Sequence, residues 1–333
     1  MKAIVITGAG GPEVLALRDV PAPQPAAGEI LVQVRAAGVN RADLLQRIGH
    51  YPAPPGAPAD IPGIEYAGEV AALGAGAQAW KVGERVMGLV AGGGYAERVT
   101  VNESLALRMP AGWSFAEAAA VPEAFITAAD ALFRQMRLRA GERVLIHAVA
   151  SGVGTAALQL AKACGARVLG TSRTAAKLER ARALGLEVAI DSSREDFADA
   201  VRRHTGGAGV DVVLDLVGGP VLAGNIQALA RGGRMIVVGL TGGRSAPLDL
   251  GAVLGKRLTI VGTVLRARSL EEKIAVTAYF AAEVLPLLEG GIVRPVVERR
   301  YALADAAAAH RRLESNEVFG KLVLECDEAS GDA

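Results

Sequence analysis

The chain has 333 residues, 51% of them hydrophobic and 21% charged, with a formal net charge of +1. That is the profile of a globular protein long enough for two cores, and so balanced a charge gives no reason to expect a nucleic-acid or membrane partner. Cys164 and Cys326 are too few for a disulfide framework or a cysteine zinc site. The N-terminus MKAIVITG reads as a strand, not as an apolar leader with a cleavage site, so a cytoplasmic location is expected. His50, His147, His204 and His310 show no ligand spacing and read as ordinary surface or core residues.

Residues 1–125 alternate short β-rich runs with Gly and Pro clusters. The runs are Lys2 to Thr7, Ile30 to Ala37, Glu69 to Leu73, Arg85 to Leu89 and Tyr95 to Val101. This is the pattern of a compact β barrel or sandwich with functional loops. Tyr51 to Gly56, rich in proline, reads as a rigid loop, and Gly92 to Gly94 as a tight turn. From Phe115 to about Met136 the pattern is helical.

The stretch Gly141 to Lys177 organises the middle of the chain. Arg143 to His147 is a buried-strand pattern, Gly152 and Gly154 allow a sharp turn, and Thr155 to Ala163 has helical spacing ended by Gly165. Arg167 to Thr171 is a second strand. Strand, glycine turn, helix and strand form the unit that seats a dinucleotide pyrophosphate on a helix N-terminus. Two glycines of the usual fingerprint are replaced, by Val149 and Ser151. Val144 to Ala161 carries no formal charge and is long enough to raise a membrane helix, but its central glycines, Ser151 and His147 argue against one. After the second strand, where NAD sites present a carboxylate, stand Ser172 and Arg173, with Lys177 a turn later. A hydroxyl and two cations suit a 2′-phosphate, so NADPH is expected over NADH.

Further βα alternation predicts a parallel sheet, with strands at Val188 to Asp191, Val210 to Asp215, Met235 to Val238 and Leu258 to Val261. Glycines recur at the ends of these strands, where ligands bind in such folds. A helix from about Leu270 to Leu288, a strand near Val293 to Tyr301, an Ala-rich helix and a strand over Gly320 to Glu325 complete the pattern. Residues after Cys326 read as a disordered tail.

Several motifs resemble the medium-chain dehydrogenase/reductase superfamily: Gly63-Ile-Glu65-Tyr-Ala-Gly68, Gly74 with Gly76, and Val82-Gly-Glu-Arg-Val86. Asn40-Arg-Ala-Asp43, Gly49-His-Tyr51-Pro52, His147 to Thr155, Leu265-Arg-Ala-Arg268 and Gly320-Lys321-Leu-Val narrow the resemblance to its zinc-free, zeta-crystallin-like quinone oxidoreductases. The resemblance covers almost the whole chain. It implies an α/β protein, a Rossmann doubly wound parallel sheet plus a GroES-like β-rich domain. The expected division is residues 1–125 GroES-like, 126–264 NADPH-binding, and 265–333 returning to the first domain. Substrate and nicotinamide are expected between the domains, and a homodimer is implied.

Where zinc-dependent members carry catalytic metal ligands, this chain has Asn40, Ile64 and Glu123, which do not make an N/S zinc site, so no metal is expected. A quinone is an acceptor that needs no Lewis acid, since its reduced form is an aromatic, delocalised anion. The resemblance implies catalytic roles for Asn40, Tyr51 and Thr127, the first two beside substrate and Thr127 facing the nicotinamide. It implies that Ser151, Gly152, Val153 and Gly154 hold the pyrophosphate and that Ser172, Arg173 and Lys177 hold the 2′-phosphate. Ser192 stands where relatives often have a tyrosine that stacks on adenine, an interaction that Arg173 would partly replace. Gly239, Leu240, Val264 and Leu265 would wall the nicotinamide, and Lys321 would close over it. Two other readings stay open: an NADPH-dependent enone or alkenal reductase, in which a Tyr51 proton would matter for rate, and a non-catalytic NADPH-binding sensor.

Overall fold

The computed structural model describes residues 1–326, so the segment read as a disordered tail lies outside the described residues. The chain divides into two units. One comprises Met1–Ile126, Leu265–Gly291 and Pro295 onward, the other Thr127–Val264 with Ile292–Arg294.

The first unit is built on a seven-stranded sheet, whose long central strand, Glu29–Val39, is nearly all buried. Glu65–Leu73, Arg98–Asn102 and Lys321–Glu325 all pair with it antiparallel. The pairing shifts register between Leu31 and Val32 and again between Val34 and Ala36. Such irregularities bend a strand and let it serve different partners along its length. Arg85–Leu89 and Ala106–Arg108 extend the sheet on one side, and Val297–Ala302, parallel to Lys321–Glu325, extends it on the other. Ile30, Val32, Val34, Tyr66, Val70, Leu322 and Leu324 fill the core beneath it. Lys2–Ile6 and Leu15–Asp19 form a separate antiparallel pair.

The second unit is an open sheet of six strands, all parallel. In spatial order they are Val188–Asp191, Arg167–Ser172, Arg143–Ile146, Val210–Asp215, Leu229–Val237 and Thr259–Gly262. The winding reverses between Arg143–Ile146 and Val210–Asp215, the switch point at which ligands bind in such sheets. Val144, Leu145, Ile146, Val212, Val213 and Leu214 are sealed from solvent. Burying each such side chain contributes about 1.5–3 kcal/mol, which explains the unbroken apolar runs.

Two helices read as continuous are broken. The stretch from Phe115 divides into Phe115–Ala119 and Pro122–Ala129, then widens over Asp130–Gln135. Pro122 lacks the N–H a continuing helix would need. In the widened turn, Met136 N–H reaches back to Ala131 O, while Gln135 Nε2 donates to the buried Asp130 carboxylate at 2.6 Å. Similarly, Pro286 interrupts the later helix, leaving Leu270–Glu283 and Leu285–Glu289. The helix Leu250–Lys256 escapes pattern reading because all its residues are at least partly exposed, so it has no core-facing stripe.

Candidate active site

In the first unit a polar group assembles where the strand Glu29–Val39 ends. Leu322 pairs opposite Val39, which brings the neighbouring Lys321 level with Asn40. Glu65 opens the strand on the other side. The Lys321 ammonium, 5% exposed, donates to Glu65 Oε1 at 2.5 Å, Asn40 Oδ1 at 2.6 Å and Val39 O at 3.1 Å. Asn40 Nδ2 donates to the same Glu65 oxygen at 2.8 Å and to Gly38 O at 3.3 Å. The other Glu65 oxygen accepts the Glu123 backbone N–H at 2.8 Å. Only glycine fits at position 38, because a Cβ there would overlap Glu65 Oε1.

Glu123 is half-buried at the start of Pro122–Ala129. Burial pushes its carboxyl up to about 8, and the negative charge of Glu65 pushes the same way. At neutral pH it therefore holds its proton. Tyr51 is also half-buried, and burial raises its phenol above the ordinary range, with Glu123 adding to the rise and Arg266 opposing it. The guanidinium of Arg266 lies 5.2 Å from the Tyr51 ring centroid.

Below this group lies a buried chain of hydrogen bonds that holds the helix Arg41–Arg47. Asp43 accepts from Asn40 N at 2.8 Å, Gly63 N at 3.1 Å and the Tyr95 hydroxyl at 3.0 Å. Because Tyr95 spends its proton on Asp43, its oxygen accepts from His310 Nε2, at 3.2 Å, and His310 Nδ1 accepts from Arg47 at 3.2 Å. Burial, reinforced by Arg47, pushes His310 down to about 3, so the ring is neutral. Burial also pushes Asp43 up to about 6 against these hydrogen bonds.

In the second unit, Ser151 caps the twelve-residue helix Gly152–Ala163, its Oγ accepting from Gly154 N at 3.0 Å. A Cβ at Gly154 would overlap Ala148 O, so the turn closes only around glycine. The left-handed residue of the turn is Ala148, with φ 46°. Gly152 and Val153 open the helix with N–H groups directed outward from its end. Ser172 is buried at the end of its strand, while Arg173 is exposed and Lys177 half-buried. Ser192 lies beside them, its N–H donating to Ser172 O at 3.0 Å. A cavity of about 330 Å³ opens at the C-terminal ends of the neighbouring strands Val210–Asp215 and Leu229–Val237, lined by Asp215, Gly218, Leu240 and Arg244 among others. Gly239 adjoins Leu240, its N–H reaching Asp215 O at 3.3 Å, and Val264 is exposed beyond the last strand. Thr127 is 7% exposed and its Oγ1 has no hydrogen-bond partner, an orphaned polar atom that a bound group would satisfy. A capped glycine turn at the switch point, a cavity at the strand ends and an orphan hydroxyl fit a dinucleotide.

Sequence reasoning did not find two parts of these sites. Arg266 was visible only as a motif letter. His147, read as an ordinary core residue, sits at the switch point, between Thr171 Oγ1 at 2.9 Å and Asn225 Oδ1 at 2.7 Å. Asn225 Nδ2 donates to Asp215, whose other oxygen holds the N–H groups of Val217 and Gly218. Asn225 thus presents its oxygen to the ring, so Nε2 carries the hydrogen and Nδ1 accepts from Thr171. Lys321 and Leu265 both fall within the first unit. Lys321 is engaged with the Glu65 group, and the amide of Asn40 is spent on Glu65, Gly38 and Lys321.

The residues present do not fit a catalytic zinc. Ile64 is buried and has no donor, Asn40 is committed at both amide atoms, and Lys321 places a positive charge on the nearest carboxylate. Among the described residues no three His, Cys, Asp or Glu side chains converge to hold a metal ion. None of the described helices is long and apolar enough to cross a membrane.

Residues 26–131 match the alcohol dehydrogenase GroES-like domain family, and residues 152–279 match the zinc-binding dehydrogenase family. Quinone oxidoreductase of Rattus norvegicus is 34% identical over 327 residues, covering 97% of each chain. The solved structure of Escherichia coli quinone oxidoreductase complexed with NADPH is 32% identical with a TM-score of 0.88, over 98% of this chain and 100% of that one. The structure of CurK enoyl reductase has a TM-score of 0.87 at 27% identity, over 98% and 99% of the two chains. Joined to the parallel sheet, its capped glycine turn and the β-rich unit, these likenesses establish that the chain is an oxidoreductase of the medium-chain dehydrogenase/reductase family.

Proposed function

We propose that the protein reduces quinones with NADPH and without a metal. The observation that carries this reading is the closed Asn40–Lys321–Glu65 group, in which Asn40, at one of the metal-ligand positions of zinc-dependent members, has both amide atoms already paired to its neighbours. An acceptor whose reduction leaves a localised alkoxide would need a Lewis acid there. A quinone spreads the negative charge over an aromatic ring and asks only for orientation and modest hydrogen bonding.

NADPH, when bound, supplies the hydride. Backbone groups of Ser151, Gly152, Val153 and Gly154 hold its pyrophosphate, and Ser172, Arg173 and Lys177 hold its 2′-phosphate, with Ser192 nearby. Thr127 gives its unpartnered hydroxyl to the nicotinamide, which Gly239, Leu240, Val264 and Leu265 wall. Tyr51 supplies a face or a hydroxyl to the acceptor. Asn40 and Lys321 support the site from beneath, holding Glu65 and the start of the helix Arg41–Arg47. The division into substrate regions 1–125 and 265–333 around a cofactor region 126–264 belongs to the same reading, as do a cytoplasmic homodimer and a small-molecule acceptor. The names of the relatives, quinone oxidoreductase above all, support it.

A second reading, reduction of an enone or alkenal double bond, is favoured by one observation: Tyr51 lies under a buried guanidinium, which opposes the rise that burial imposes on its phenol. The likeness to CurK enoyl reductase points the same way. Chelator-treated protein is to be assayed for NADPH oxidation with an ortho-quinone, a para-quinone and an unsaturated aldehyde, alongside NADH. Turnover of quinones alone, preferring NADPH, is the expected result. Turnover of the aldehyde that collapses in Tyr51→Phe moves the assignment to the double-bond reductase. NADPH binding with no turnover on any acceptor would replace both with a sensor.

A further inference from the structure

Arg266 is 8% exposed, and its guanidinium reaches three segments far apart in sequence. Nε donates to Ala91 O at 2.7 Å, Nη1 to Tyr51 O at 3.3 Å and Nη2 to Gln46 Oε1 at 2.6 Å. Gln46 passes the constraint on, its Nε2 donating to Ala59 O at 3.0 Å. The proline-rich loop is therefore gripped at Tyr51 and again at Ala59, once by Arg266 itself and once through a side chain bonded to it. These three acceptors are neutral oxygens and cancel no charge. A buried cation costs several kcal/mol in desolvation, more than loop packing requires, since an apolar or amide side chain would fill the same space. The charge has the Tyr51 ring beneath it, 5.2 Å to the centroid.

We propose that Arg266 is the positioning residue for Tyr51: it fixes the loop that carries the phenol and keeps a positive charge against the ring, so that Tyr51 gives its proton to the reduced acceptor. The proposal rests on the reading that Tyr51 faces the acceptor. In the double-bond case the acceptor gains a hydride from NADPH at carbon and a proton from Tyr51 Oη, and the phenolate is reprotonated by solvent. Asp43 and Glu123 are the carboxyl groups that act on Arg266, and Lys273 is the cation that feels it. Arg266 opposes the rise that burial and Glu123 impose on the Tyr51 phenol. Lysine is not an equivalent substitute, since a point charge cannot make the three-way fork.

The test is a double-mutant cycle with Arg266→Gln, Arg266→Lys and Tyr51→Phe, assayed with NADPH and the acceptor turned over fastest. R266Q is expected to lower kcat by about tenfold or more, the scale of a misplaced catalytic group, with the KM for NADPH unchanged. Its basic pH limb should move to higher pH. R266K should lose kcat yet keep the limb near the parent position, because the charge remains. In the Y51F background R266Q should cost nothing further. Losses that multiply in the double variant, or an unmoved limb in R266Q, overturn the proposal while leaving the Tyr51 reading intact. A Y51F variant as active as the parent overturns both.

Discussion

Each unit buries a polar network at the end of its sheet, and the two networks are built from different chemistry. In the first unit the network is charged: Lys321 lies against Glu65, Asp43 is buried, and Glu123 and Arg266 stand near them. In the second unit Asp215 takes two backbone N–H groups and Asn225, and the remaining links, His147 and Thr171, are neutral. Burying charge is expensive and tolerable only when each group is paired. In the second unit one carboxyl is served by backbone N–H groups and an amide instead of a cation. The first unit buries a cation against a carboxylate at the end of its longest strand, and the second pins strand ends and the Gly218 turn in place.

The largest effect should come from breaking the charged network. Lys321→Met leaves the Glu65 carboxyl sealed from solvent without its cation, at an expected cost of about 3–5 kcal/mol. The double variant with Glu65→Gln should recover most of it. Urea unfolding monitored for both units checks this, and a Lys321→Met protein as stable as its parent would show that the pair does not carry the fold.

Breaking the His147 network, by removing a neutral link, should cost less. His147→Leu strands the Asn225 oxygen and the Thr171 hydroxyl without its ring, a loss of about 2 kcal/mol. NADPH affinity measured by fluorescence should fall as the strand ends loosen, while the Tyr51-dependent pH limb stays where it was. An altered limb would mean that the two networks are not separate devices.

The smallest effect concerns pH. A folded-state pKa raised to about 8 means that Glu123 keeps its proton in the folded chain and loses it in the unfolded one, so its contribution to stability falls as pH rises from about 4.5 to about 8. Asp43, raised to about 6, acts in the same direction below that value. His310, depressed to about 3, acts oppositely: its neutral folded form favours folding above its unfolded pKa, and that contribution is lost as pH falls from about 6.5 to about 3. In Glu123→Gln the first slope is removed. The difference in Tm between variant and parent should therefore move in favour of the variant between pH 5 and pH 8.5. A constant difference across that range would place the Glu123 carboxyl in ordinary solvent.

Much of the parallel sheet was legible because central strands are buried on both faces and so read as apolar runs. Val188–Asp191 and Val210–Asp215 fall where the pattern puts them. Leu15–Asp19 and Ala106–Arg108 were not legible: the first has no fully buried residue and the second is only three residues long. Among site residues, the stretch from Ser151 to Gly154 announces itself by local conformation, since a tight turn into a helix demands glycine and a capping hydroxyl. The ties of Lys321 do not. Its partners Asn40 and Glu65 lie more than 250 residues away, and only the pairing of the last strand with Glu29–Val39 brings them together.

By itself, the sequence determined the fold class and the glycine turn into a capped helix, because each depends on residue identity or on contacts a few positions apart. Tertiary structure alone decided that Asn40 spends its amide on Glu65, Gly38 and Lys321, that Arg266 grips the Tyr51 loop and lies against its ring, and that two histidines are neutral links. Hydrogen bonding and desolvation act through space, and the residues that satisfy a buried polar atom are chosen by sheet register and loop path, which no local pattern encodes.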